Sequence, residues 1–139
     1  MRRQSIIVIS GIMIVAALGS SLLLIQFLQP EMKPTGYRNI TASDLYSMLS
    51  NKDFLLINTH IPYEGEIERT DLFIPYNNIQ GHLDRLPKDK HAKIVVYCMS
   101  DRMSNIAAEE LAKLGYSNVL NLEGGMIAWK DNGYPLVYR

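Results

Sequence analysis

The chain has a single cysteine in 139 residues. A lone thiol excludes an internal disulfide framework, a CxxC metal ribbon and a dithiol redox pair. Neither sign of charge is in surplus, with 14 Lys and Arg against 14 Asp and Glu. A nucleic-acid binder needs excess cations to displace counterions from phosphates, so no such partner is expected. Internal repeats and low-complexity tracts are absent, and an apolar content of 47% excludes wholesale disorder. Charge itself is missing from Gln4 to Pro30.

Within that uncharged stretch, Ile6 to Leu28 is a 23-residue run broken only by Ser, Gly and Gln26. A helix of that length spans a hydrocarbon core of about 30 Å. A domain this small has no interior able to cover such a helix on all sides. A cleaved signal is the rival reading, since Ala17-Leu18-Gly19 offers small residues. Leu22-Leu23-Leu24-Ile25 follows at once, however, and carries the apolar region beyond the usual ~7–15 residues. An uncleaved anchor is therefore expected, and the lack of a following cysteine excludes a lipid anchor there. Arg2 and Arg3 directly abut one end, whereas Lys33 and Arg38 lie farther beyond the other. That placement predicts a cytoplasmic tail and a single-pass protein whose domain is extracytoplasmic. The organisation read from the chain is a tail (1–5), a transmembrane helix (6–28), a Pro- and Gly-bearing linker (29–36) and a folded domain (37–139).

In the domain, apolar runs alternate with helical patterns. Thr41-Ala42-Ser43-Asp44 reads as a capping box opening a helix to about Leu49. Phe54–Ile57 and Ile94–Tyr97 are short continuous apolar runs, as in strands buried on both faces. A polar loop from Thr59 to Asp71 leads to a short strand at 72–74, and a weak helical stretch covers 79–86. Ser104–Leu114 is the clearest helix, with Ala107, Leu111 and Leu114 on one face and Gly115 closing it. Val119–Leu122 is another strand, and Gly124-Gly125 turns the chain into a final helical turn through Trp129, which reads as a core anchor. Strands alternating with helices predict an α/β fold with a small, mainly parallel sheet flanked by helices.

Cys98 directly follows the Ile94–Tyr97 strand and precedes the clearest helix. In open α/β sheets ligands bind at this strand-end, helix-start position. A loop wrapped there points backbone N–H groups inward and adds the partial positive charge of the helix start. Such a cradle favours a thiolate, a persulfide or an oxyanion such as thiosulfate. A small buried structural cysteine fits the position equally well. His60, Glu64 and Glu66 lack a fixed geometry or a second nearby histidine, so a solvated acidic loop is expected there and no metal site.

Two stretches of sequence decide between the readings of Cys98. Val96-Tyr97-Cys98-Met99-Ser100-Asp101-Arg102-Met103-Ser104, with Ala107-Ala108 and Leu114-Gly115-Tyr116, resembles the active-site loop and following helix of rhodanese-like domains. Val119-Leu120-Asn121-Leu122-Glu123-Gly124-Gly125-Met126, through Ala128-Trp129 to Gly133-Tyr134-Pro135, resembles the carboxy-terminal signature of the same family. The resemblance runs from about Tyr37 to Arg139. It implies a sulfurtransferase, with Cys98 as the nucleophile that takes up a sulfane sulfur as a persulfide. It implies too that the amides from Met99, Ser100, Asp101, Arg102, Met103 and Ser104 cradle the anion, with Arg102 adding charge and Ser104 a hydroxyl.

The family often has glycine where Asp101 stands, and Asp-Val-Arg where this chain has Asn58-Thr59-His60. Related phosphatases place an arginine six positions after the cysteine. Here that position is Ser104, so a bidentate phosphate clamp is missing. The expected partners are a small sulfur-containing anion, an external thiol or protein that accepts the sulfur, and the membrane. No cofactor is implied. A non-catalytic sulfur-carrier or anion- and partner-binding module is the alternative function, and a redox role of the lone thiol is a third.

Overall fold

The computed structural model describes residues 36–139. The expected membrane span lies outside the described residues, and so does all of the linker but Gly36. Among the described residues, no helix is long and apolar enough to cross a membrane. The elements run β1 (Tyr37–Ile40), α1 (Ala42–Leu49), β2 (Leu55–Asn58), β3 (Glu66–Ile67) and β4 (Leu72–Phe73). A 3-10 helix (Gln80–Arg85) follows, then β5 (Ile94–Tyr97), α2 (Arg102–Lys113), β6 (Val119–Leu122), α3 (Gly125–Asp131) and β7 (Leu136–Val137).

Five strands form one parallel sheet in the order β1-β6-β5-β2-β4, while β3 and β7 make a separate antiparallel pair. The unbroken apolar runs follow from burial on both faces. All four residues of β5 are fully buried, with α1 and α3 on one face and α2 on the other. Leu45, Leu56, Val95, Tyr97, Leu122, Met126 and Trp129 pack together on the first face. Ile57, Val96, Ala107, Leu111 and Val119 fill the second, with Leu114 at its margin as the helical spacing requires. Each large buried aliphatic contributes about 2 kcal/mol of transfer free energy.

The differences from the expected elements are local. Residues 79–86 do not form an α-helix: the stretch is 3-10, interrupted at His82 (φ −129°, ψ 25°), and its first residue has no side-chain cap. Strands β1, β3 and β7 emerge from segments without strand periodicity. The pairings of β3 and β7 involve two residues each, Glu66 with Val137 and Ile67 with Leu136.

The topology positions the site. From β2 the chain steps to β4 on one side of the sheet, whereas β5 and β6 lie on the other. The crevice at the carboxyl ends of β2 and β5 is thus a switch point, the place where open parallel sheets bind ligands. Asn58 lies opposite Tyr97 there, and the next residues are Thr59 and Cys98.

Candidate active site at the end of the central strand

Cys98 leaves β5 at the centre of the sheet and is 2% exposed. Its Sγ lies 3.3 Å from Ser104 Oγ, the residue six positions on. Ser104 is itself fully buried and donates to the Asp101 carbonyl at 3.2 Å. The intervening loop therefore closes on itself, with the helical start placing Ser104 beneath the sulfur.

The Asp101 carboxylate does not cap α2. It turns away and accepts the Gly124 N–H at 2.9 Å. The first backbone bond of this helix is Asn105 N–H to the Asp101 carbonyl at 2.9 Å. Among the described residues, no acceptor takes the N–H groups of Met99 to Ser104. The hydrogen-bonding neighbour of Sγ is the Ser104 hydroxyl. The open donors are those of the loop and of the helix start, where the first turn has no intrahelical partner. Arg102 is exposed on that first turn, and Met99 and Met103 are half-buried on either side of the loop. Ser100 is exposed at its tip.

Gly124-Gly125 supports the loop from behind, a contact that sequence reading of the turn did not reveal. Met126 N–H donates to the Cys98 carbonyl at 2.9 Å and Ile127 N–H to that of Met99 at 3.0 Å. Gly125 has φ +55°, and a Cβ there would lie 2.4 Å from the Cys98 carbonyl oxygen and 2.6 Å from that of Ser100. Glycine is required on both counts. On the other side, Thr59 holds the Tyr97 carbonyl through its N–H at 2.8 Å and its hydroxyl at 2.9 Å.

The loop expected to be solvated and acidic is partly internal. His60 is 8% and Glu66 6% exposed. His60 Nε2 is hydrogen-bonded to the Glu64 carboxylate, and Arg139 is ion-paired with Glu66. A buried charge persists only when matched, and the match for Glu66 comes from a residue 73 positions away. No group of His, Cys, Asp and Glu among the described residues is arranged to hold a metal ion. Beneath the loop, Tyr97 Oη accepts the Ile67 N–H at 3.0 Å and lies 2.8 Å from Thr70 Oγ1. Burial raises the Tyr97 phenol well above its ordinary pKa, so it stays neutral.

Known proteins resemble the chain in sequence and in fold. The rhodanese-like domain family matches residues 41–132. A sulfurtransferase from Allochromatium vinosum is 37% identical over 93 residues, covering 65% of this chain and 84% of that protein. A tRNA uridine(34) hydroxylase from Erwinia tasmaniensis is 28% identical over 110 residues, but this chain spans only 31% of its length. The crystal structure of a rhodanese-related protein from Thermoplasma volcanium superimposes with a TM-score of 0.64 at 31% identity, covering 74% of this chain and 100% of that one. The family match over residues 41–132, with a similar sulfurtransferase and a similar rhodanese-related structure, leads to one conclusion: the chain belongs to the rhodanese-like domain family.

Proposed function

We propose that this chain is a sulfurtransferase carrying a sulfane sulfur on Cys98, anchored by its amino-terminal apolar run with the domain outside the cytoplasm. The observation that carries the reading is Cys98 at the switch point, touching Ser104 and followed by backbone donors that no protein acceptor occupies. An anionic sulfur held there gains hydrogen bonds that a neutral thiol does not need. The sulfurtransferase among its relatives supports the same chemistry.

In the first half-reaction the Cys98 thiolate attacks the outer sulfur of thiosulfate. The sulfur–sulfur bond of the donor breaks and sulfite leaves with its electron pair. In the second, an acceptor thiolate attacks the outer sulfur of the persulfide, and Cys98 Sγ departs as the thiolate. With no second cysteine in the chain, the acceptor is external. Arg102 and the loop amides hold the donor's anionic end, while the Ser104 hydroxyl hydrogen, given to the Asp101 carbonyl in this structure, turns to the sulfur in its ionised form.

The test is a mass measurement. The full-length chain incubated with thiosulfate is expected to gain one sulfur atom, and Cys98→Ser none. If the wild-type chain gains no sulfur from thiosulfate or from a persulfide donor, the transferase reading fails. The near-complete burial of Cys98 would then favour the binding-module reading.

A further inference from the structure

Charge is spread unevenly along the strands, although the chain has no net charge. The sheet begins in register, Tyr37 with Val119, Val119 with Ile94 and Ile94 with Leu55. These strands are parallel, so the segments leading into them meet at one end, opposite the end that holds Cys98. The segment leading into β5 is basic: Arg85, Lys88, Lys90 and Lys93 stand between positions 85 and 93, with Asp89 as the only carboxylate. The Tyr116 hydroxyl donates to the Pro87 carbonyl at 2.7 Å, and the Ser117 N–H to the Lys90 carbonyl at 2.9 Å. Those bonds fix the basic segment across the amino end of the sheet.

Most of these cations are free to meet a ligand. Arg85, Lys88 and Lys90 are exposed, and among the described residues none pairs with a carboxylate. Lys90 Nζ lies 3.9 Å from the centre of the Tyr116 ring. Lys113, exposed in the last turn of α2, is also unpaired. Of the neighbouring carboxylates, Asp53 is held by Lys93, Asp89 accepts the His91 N–H at 2.8 Å, and Asp84 is exposed. The opposite end has the other sign. Glu64 follows β2, Glu123 follows β6 and Asp101 stands in the cysteine loop, against Arg102. The domain is therefore polarised along its strands.

The amino-terminal chain joins the domain at the basic end, because Gly36 directly precedes Tyr37. The linker at 29–36 reaches at most about 29 Å when fully extended. Each Lys or Arg is drawn only weakly to an anionic leaflet, within a Debye length of about 8–10 Å. A short tether makes such weak attraction effective by keeping the local concentration high. We propose that the basic amino end of the sheet docks on anionic phospholipid, in the bilayer that the amino-terminal apolar run enters. Docked so, the domain turns Cys98 toward solvent, at the far end of a strand about 13 Å long. This inference rests on the anchor in the proposed function and not on the sulfur chemistry.

The experiment reconstitutes the full-length chain into vesicles of phosphatidylcholine, alone or with about one third phosphatidylglycerol. A membrane-impermeant glyoxal reagent, read by peptide mass, compares the reactivity of Arg85 with that of Arg102 at the opposite end. Phosphatidylglycerol is expected to slow Arg85 about fivefold and to leave Arg102 unchanged. Salt at about 0.5 M, or Lys88→Glu combined with Lys90→Glu, is expected to remove the protection. Equal Arg85 rates in the two kinds of vesicle, with the chain retained through a high-salt wash, would overturn the docking and leave the anchor standing. Protection of Arg85 by soluble polyglutamate but not by phosphatidylglycerol would assign this end to an acidic polypeptide, which overturns it as well. If salt washes the chain off both vesicles, the anchor reading falls. Flotation at low salt then decides the docking: chain on the phosphatidylglycerol vesicles alone, lost in the double variant, supports it, and no flotation overturns it.

Discussion

Two helices begin at the same edge of the sheet and treat their first turns in opposite ways. At the start of α1 the Thr41 hydroxyl accepts the Asp44 N–H at 3.1 Å, and the Asp44 carboxylate accepts the Thr41 N–H at 2.9 Å. The box is closed. At the start of α2 the corresponding residue, Asp101, is also of a good capping type, yet its carboxylate bonds Gly124 instead. That helix start is left open, and it is the one that follows Cys98. The contrast teaches that unpaired donors at α2 are not a failure of local sequence. They are maintained by a tertiary contact that draws the natural cap away.

The strongest way to break the comparison is to disturb what holds the open loop. Gly125→Ala puts a methyl group 2.4 Å from the Cys98 carbonyl oxygen at a positive φ. We expect a loss of about 2–4 kcal/mol in stability, from overpacking and backbone strain together. Displacing the loop by a fraction of an ångström is expected to lower sulfur transfer about a hundredfold. Thermal unfolding and the rate of sulfite release measure the two effects. A variant with wild-type transfer would show that the loop does not depend on this contact.

Tyr97 tests the opposite case, a buried polar group that serves only the framework. Thr70 Oγ1 donates to the Ile67 carbonyl at 2.6 Å, so the Tyr97 hydroxyl donates to Thr70 and accepts from Ile67. Tyr97→Phe leaves the buried Ile67 N–H unpaired and is expected to cost about 1–3 kcal/mol. Sulfur loading of the folded variant should be unchanged. The raised phenol pKa also has a sign. The unfolded chain ionises this tyrosine above its ordinary value of 10.0 while the folded chain holds it neutral. Stability from this group is thus complete below that pH and falls as pH rises past it. Tyr97→Phe should remove that part of the alkaline decline, seen as a shallower loss in denaturant melts.

Much of this was legible in the chain. The Thr41–Asp44 box, the β5 run, the spacing of Ala107 and Leu111, and Cys98 at a strand end all rest on neighbours within a few residues. The count that put Ser104 six positions after Cys98 served only to exclude a phosphate clamp, and the 3.3 Å approach of its hydroxyl to the sulfur came from the fold. What escaped depends on distant partners. Glu66 reads as a loop carboxylate until Arg139 is placed against it, and strands of two residues carry no periodicity. Asp101 stands where the family often has glycine, and its bond to Gly124 crosses 23 positions, so no local pattern announces it.

That last point can be sharpened. Asp101→Asn keeps an acceptor for the Gly124 N–H and removes the charge. Its stability should stay close to wild type, and turnover of anionic donors should rise about twofold to threefold, the scale of one exposed charge interaction. Asp101→Ala loses the bond as well and is expected to cost about 1 kcal/mol in stability. Equal behaviour of the two variants in both assays would remove the argument that the carboxylate acts through Gly124.

The smallest effect belongs to the closed helix start. Thr41→Ala is expected to cost about 0.5–1 kcal/mol, since one side-chain acceptor is lost and α1 remains packed through Leu45 and Leu49. Its informative readout is pH. The Thr41 backbone N–H, and then its hydroxyl, hold the Asp44 carboxyl below its ordinary value of 3.8. A lowered carboxyl pKa stabilises the fold above the unfolded value and loses that contribution as pH falls through the folded one. Acid unfolding should therefore respond to Asp44→Asn by losing part of its slope below about pH 4. No such response is expected of Arg102→Gln at the open start of α2, because no protein carboxylate pairs with that residue among those described. If both variants altered the acid limb equally, the two helix starts would not differ in the way their hydrogen bonds indicate.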